Sequence, residues 1–197
     1  MKYYPDILEE LLERLKKLPG VGPKSAERMV NYMLEQDDGE ITSLAENLLS
    51  LKKNIRLCER CFNLTDKTLC NICQDSRREN LLCVVEEAKD LVVIEKSGFK
   101  GRYHVLGGRI SSLDKISPSD IRIPQLLERL KIEEFSEIII ATNPTPEGED
   151  TALYISRILN DRNIKHSRIA CGLPVGSEIE YVDIQTLKKS IDGRRQI

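Results

Sequence analysis

Glu137-Ile138-Ile139-Ile140-Ala141-Thr142-Asn143-Pro144-Thr145-Pro146-Glu147-Gly148-Glu149 decides the fold. The apolar run is short, β-branched and uninterrupted by charge, which is the signature of a strand buried on both faces, here Glu137 to Thr142. Two prolines and a glycine then stop it. Upstream, Leu81 to Val85 is a second apolar run, ending at Glu86-Glu87. Ala88 to Lys96 reads as a helix, Tyr103 to Leu106 as a strand before Gly107-Gly108, and Gln125 to Lys131 as another helix. Downstream, Thr151 to Asn160 is helical and His166 to Ala170 forms a last strand. Strands alternating with helices imply a mainly parallel sheet flanked by helices. Sheets of this kind hold ligands at the carboxyl ends of their strands, so Glu86 and the segment 143–149 stand where chemistry is expected.

The segment 55–78 has a different character. It carries four of the chain's six cysteines and few aliphatic residues. Cys58-Glu59-Arg60-Cys61 and Cys70-Asn71-Ile72-Cys73 are two C-x-x-C knuckles, and four thiolates can surround one zinc ion as a tetrahedron. Four sulfurs fill the coordination shell, so the site is structural and replaces a core that so small a segment cannot build. A redox pair would be a single exposed C-x-x-C of low pKa, and two knuckles fit that poorly. Cys83 and Cys171 fall in apolar runs and are expected to be buried in strands.

Residues 5–53 carry helical stripes: Ile7, Leu8, Leu11, Leu12, Leu15 and Leu18; then Ala26, Met29, Val30, Met33 and Leu34; then Ile41, Leu44, Ala45, Leu48 and Leu49. Asp37-Asp38-Gly39 is expected to break the chain between the second and third stripes. Between the first two lies Pro19-Gly20-Val21-Gly22-Pro23-Lys24-Ser25. Gly20 and Gly22 permit positive φ and close approach by a ligand, and the second helix opens with free N–H groups suited to a phosphate. Lys24 and Arg28 share a face of that helix and flank the same spot. A nucleotide P-loop is excluded, because Pro23 precedes Lys24 and a helix, not a strand, comes first. The unit resembles a DNA-binding helix–hairpin–helix, which grips phosphates without reading bases; a plain turn between packed helices is the alternative.

Formal net charge is −2 and the isoelectric point is about 5.9, so DNA binding must come from local sites and not from bulk charge. Hydrophobic residues make up 40% and charged residues 31%, a composition that folds instead of staying disordered. No apolar run reaches the ~18 residues of a membrane span and no signal-peptide pattern opens the chain, so a cytoplasmic location is expected.

The sheet segments resemble the Toprim domain of topoisomerases, bacterial primases and related nucleases. That family places a Glu after its first strand and Asp-x-Asp-x-x-Gly after a later one. Aligned on Gly148, the Glu falls at Glu86 and the two aspartates at Asn143 and Thr145, both neutral. Mg²⁺ needs hard anionic oxygens, so the fold is kept and the chemistry is expected to be lost. A metal site built from Glu86, Glu147 and Glu149 stays open, as does a solvated strand end for Glu86; no strand-passing tyrosine is assignable, since Tyr154 and Tyr181 lack context.

Hairpin, four-cysteine site and degenerate Toprim, in this order, are similar to the RecR family of recombination mediators. The resemblance implies an α/β multidomain chain: helix–hairpin–helix over 1–54, a four-cysteine zinc finger over 55–78, Toprim over 79–172 and a C-terminal segment for subunit contacts over 173–197. It implies one Zn²⁺ per chain on Cys58, Cys61, Cys70 and Cys73, no catalysis, and DNA binding at Gly20, Gly22, Lys24 and Arg28. It also implies partner contact through Glu147, with Glu86 beside it, to RecO and RecF. Members form homo-oligomeric rings, dimers or tetramers, that act on the nucleoid and help load RecA onto single strands coated by single-strand-binding protein.

Overall fold

The computed structural model describes residues 4–194, so the last three residues of the expected C-terminal segment lie outside the described residues. The chain divides into two compact units, one ending at Ile55 and one starting at Arg56.

The first unit is helical: α1 (Asp6–Leu15), α2 (Pro23–Glu35) and α3 (Asp38–Asn54). The stripes of α1 and α2 meet in a small core of Leu12, Ala26 and Val30, flanked by Leu8, Leu11, Leu15 and Val21. Asp37 and Gly39 do not form a long break. Asp37 caps α3 by accepting from Glu40 N at 3.0 Å, and Gly39 sits in the first turn. The α3 stripe finds no partner within the unit: the helix buries none of its residues, and Leu44, Leu48, Leu49 and Leu51 are exposed.

The second unit begins with a hairpin, β1 (Arg56–Leu57) against β2 (Leu64–Thr65), and a short helix α4 (Asn71–Gln74). Then follow β3 (Leu81–Val85), α5 (Ala88–Lys96), β4 (Arg102–Val105), α6 (Ile123–Ile132), β5 (Glu137–Ala141), α7 (Pro146–Asp161), β6 (His166–Arg168) and α8 (Ile184–Asp192). The four longer strands form one sheet in the order β4-β3-β5-β6, every pair parallel. Leu82, Val84, Ile138 and Ile140 face α6 and α7 in the larger core. Cys83, Val85 and Tyr103 face α5 in a second one, to which the cysteine segment adds Phe62 and Ile72. Each fully buried aliphatic side chain contributes roughly 1.5–3 kcal/mol, which makes this two-sided core the stability reserve of the unit.

Two features depart from the periodicity. The helix expected from Thr151 begins at Pro146, with Thr145 capping it by accepting from Gly148 N at 3.2 Å, so Glu147, Gly148 and Glu149 occupy a first turn and not a loop. The last strand ends at Arg168, which leaves Cys171 in irregular chain and only partly buried; Cys83, by contrast, is buried in β3 as expected.

The cysteine segment runs along the outer edge of β4. Val105 N donates to Cys61 O at 2.8 Å, and the buried Arg129 donates from Nη1 to Tyr103 O at 2.7 Å. Arg60 bonds both oxygens of Glu133, at 3.0 and 2.8 Å, and Arg129 shares the same carboxylate. Burial works against the charge on Glu133, but Arg60 and Arg129 hold its carboxyl below the usual range.

Candidate metal centre and nucleic-acid interface

Cys58, Cys61, Cys70 and Cys73 are all buried, and their sulfurs lie within 4.8 Å of one another. A zinc with thiolates about 2.3 Å away spaces them by roughly 3.8 Å; Cys61 Sγ and Cys70 Sγ are 3.5 Å apart. The knuckle backbone turns inward: Phe62, at φ 62°, donates its N–H to Cys58 O at 2.9 Å, and Cys70 N donates to Cys58 Sγ at 3.3 Å. Four buried sulfurs with no open position suit a closed, structural zinc site.

Glu86 lies at the end of β3, where the order of the sheet reverses between β3 and β5 and ligands would normally enter. It is 1% exposed, which rules out the solvated strand end. Its Oε1 accepts from Asn143 N at 2.8 Å and its Oε2 from Asn143 Nδ2 at 2.7 Å. Gly148 closes the crevice from the other side: a Cβ there would stand 2.1 Å from Asn143 O and 2.8 Å from Glu86 Oε1. Thr145, at the second expected aspartate position, spends its hydroxyl on capping α7. Glu149 is shared by Arg168 and Lys189, at 3.2 and 3.1 Å, while Glu147 is partly exposed. The structure therefore separates the three glutamates: Glu86 is sealed by an amide, Glu149 is paired with two cations, and Glu147 makes no ion pair among the described residues.

In the N-terminal unit, Gly20 adopts φ +79°, as the turn requires. Gly22 does not. It has φ −86° and ψ 174° as the N-cap of α2, so the expectation of positive φ is corrected there. No side chain caps α2 and no acid lies in its first turn, which leaves its leading N–H groups available. Lys24 and Arg28 are both exposed, and Arg28 lines a shallow groove with Ser25, Met29, Tyr32 and Met33.

Four family models match in the order expected: the RecR helix-hairpin-helix over residues 8–51, the RecR four-cysteine zinc finger domain over 55–75, the Toprim domain over 80–170 and the RecR C-terminal region over 172–195. The recombination protein RecR of Leifsonia xyli subsp. xyli is 48% identical over 98% of this chain and 99% of its own length. The chain belongs to the RecR family. Its four cysteines are thus the zinc ligands of a RecR zinc finger domain, and its crevice is that of a Toprim domain.

Two residues of this RecR-family chain were not singled out for the roles they play. Asn143 counted only as a missing aspartate, yet it supplies the two hydrogen bonds that hold Glu86. Phe62 carried no sequence signal; it packs edge-on against His104 with ring centroids 5.3 Å apart, and its own face receives the Arg122 guanidinium at 5.3 Å. Glu86 itself is a buried carboxylate with both oxygens engaged by Asn143. Its role is to position the Asn143 loop that leads into α7. No helix among the described residues is long and apolar enough to cross a membrane.

Proposed function

We propose that this RecR-family chain is a recombination mediator that binds DNA and performs no phosphodiester chemistry. One observation carries the reading: the Toprim crevice is closed by Asn143, whose neutral amide donates to Glu86 where a divalent cation would sit. Metal-assisted phosphoryl transfer needs several anionic ligands and an open coordination position, and the sealed pair offers a single carboxylate whose two oxygens are already engaged. DNA is held instead by the hairpin, through the uncapped start of α2, Gly20, Gly22 and the exposed pair Lys24 and Arg28. The family resemblance supports work with RecO and RecF in loading RecA onto single strands covered by single-strand-binding protein, in the cytoplasm at the nucleoid. Glu147, the acid of the α7 first turn that makes no ion pair among the described residues, is the contact for RecO. A ring of two or four copies is favoured by the bare leucine face of α3, which has nothing to cover it within its own unit. Several weak phosphate sites in one assembly act at high effective concentration, which lets an acidic chain hold DNA.

The test is an anisotropy titration of labelled DNA against salt, run beside a cleavage assay with Mg²⁺ and Mn²⁺. Binding is expected to weaken steeply with salt, and Lys24→Ala with Arg28→Ala to lower affinity and salt slope on every sequence alike. Unchanged affinity in that double variant refutes the DNA face. Metal-dependent cleavage that Glu86→Gln abolishes refutes the absence of catalysis.

A further inference from the structure

The arginines among the described residues fall into three groups. Some are engaged, such as Arg60, Arg78 and Arg168, which are paired with acids, and the exposed Arg194, which bonds a backbone carbonyl. Others, such as Arg28 and Arg157, are exposed, so water satisfies them at no cost. Arg109 and Arg122 are different: both are partly buried, and neither has an acid or a hydrogen-bond acceptor for its guanidinium. Arg109 Nε is wholly shielded from solvent and makes no hydrogen bond. Desolvating a guanidinium donor without an acceptor costs free energy, so the shielded Arg109 Nε, beside a second arginine that has no acid, calls for a ligand that supplies acceptors.

Their placement fits one kind of ligand. Both flank the Gly107-Gly108 turn after β4, and Arg122 Nη1 lies so close over Gly107 that a Cβ there would stand 1.8 Å from it. The Arg122 guanidinium carbon lies over the Phe62 ring, 5.3 Å from its centroid, a cation–π contact that holds the side chain without taking up its N–H donors. The Gly107 and Gly108 N–H groups are spent on Glu86 O, at 2.7 and 3.1 Å, so the donors on offer here are the guanidiniums. Of the acids at this turn, Glu86 has both carboxylate oxygens engaged by Asn143 and Glu87 pairs with Lys89. Gly107 is exposed and the turn open, which suits a polyanion passing over the surface better than a small enclosed anion.

We infer that Arg109 and Arg122 form a second phosphate contact for the nucleic-acid backbone, on the Toprim unit and separate from the hairpin of the N-terminal unit. This rests on the DNA-binding reading above and extends it. The zinc knuckle presents Phe62, Phe62 orients Arg122, and the metal centre thereby acts on DNA affinity without touching DNA.

The experiment uses the full zinc-loaded chain. Arg109→Ala, Arg122→Ala and the double variant are titrated with labelled single- and double-stranded DNA across a salt series, with zinc content and melting temperature measured on each protein. The double variant is expected to lose roughly tenfold in affinity at low salt, and its log–log salt slope to fall by about one to two, one per phosphate released. Arg122→Lys keeps the charge but not the planar fork and is expected to recover only part. In parallel, the unmutated protein is modified with phenylglyoxal, and the arginine peptides are mapped with and without DNA, and with poly-glutamate as a protein-like polyanion. DNA is expected to protect Arg28, Arg109 and Arg122. If Arg28 alone is protected and the slope of the double variant is unchanged, the second contact is refuted while the hairpin reading stands. If DNA protects none of the three, both fall. Protection of Arg109 and Arg122 by poly-glutamate but not by DNA refutes the inference in favour of an acidic protein partner.

Discussion

Asn143→Asp changes no volume and reverses the electrostatics of the crevice. The amide nitrogen 2.7 Å from Glu86 Oε2 becomes a carboxylate oxygen, facing an acid that is 1% exposed. Two carboxylates about 3 Å apart at an effective dielectric near 20 repel by roughly 5 kcal/mol, about four pKa units, so the pair keeps one proton to near pH 8. The unfolded variant has released that proton above about pH 4. A folded-state pKa raised in this way costs nothing below about pH 4 and costs ~1.4 kcal/mol more for each unit of rising pH until the shifted value is reached. Relative to the unmutated chain, the variant should lose about 1.5 kcal/mol at pH 5 and about 4 kcal/mol at pH 7. Urea unfolding at the two pH values measures this. Millimolar Mg²⁺ should restore part of the loss at pH 7, because a cation then takes the place of the amide. A difference between variant and unmutated chain that is the same at pH 5 and pH 7 would show that the two side chains do not share a closed site, and the non-catalytic reading would lose its foundation.

Removing zinc with a strong chelator, or Cys58→Ser, should release one zinc per chain by elemental analysis and lower the melting temperature; retention of full stability without metal contradicts a structural site. Gly20→Ala should destabilise the chain by about 1 kcal/mol or more, because φ +79° is strained for alanine, whereas Gly22→Ala should be nearly neutral, since its backbone is extended and a Cβ meets nothing within 4 Å. Equal effects of the two on the melting temperature would contradict the assigned turn. Burial pushes His104 down to about 4, with Arg129 and Arg122 adding to the shift against a hydrogen bond to Arg122 O. Folding therefore loses stability as pH falls from about 6.5 towards 4 and gains nothing further above that window. An imidazole resonance of His104 that titrates near 6.5 in the folded chain would contradict this burial.

Legibility followed the range of the interactions. The strand Leu81–Val85 and the helix Ala88–Lys96 stand where the sequence pattern put them, because local periodicity and burial agree there. The zinc ligands were readable because spacing alone brings two knuckles together. Pro146-Glu147-Gly148 looked like a loop, since proline and glycine interrupt helices in general. Here Pro146 occupies a first-turn position that needs no N–H, and Gly148 is a glycine because Asn143 O leaves no room for a side chain. The fate of Glu86 was out of reach for a different reason. Whether a carboxylate at a strand end meets water, metal or an amide depends on a residue 57 positions away. The same holds for Arg122 and Phe62, whose contact joins two segments that share no local pattern.

The hydrogen bonds from Val105 N to Cys61 O and from Arg129 to Tyr103 O have a bearing on how this protein survives its own synthesis. A parallel sheet assembles slowly, and β4 would otherwise present an outermost row of bare amides and carbonyls able to recruit the same strand from a neighbouring chain. The cysteine loop and one arginine occupy that row, so loss of the metal is expected to uncover it. Cells starved of zinc should accumulate this chain as insoluble, strand-paired deposits even while its helices remain intact.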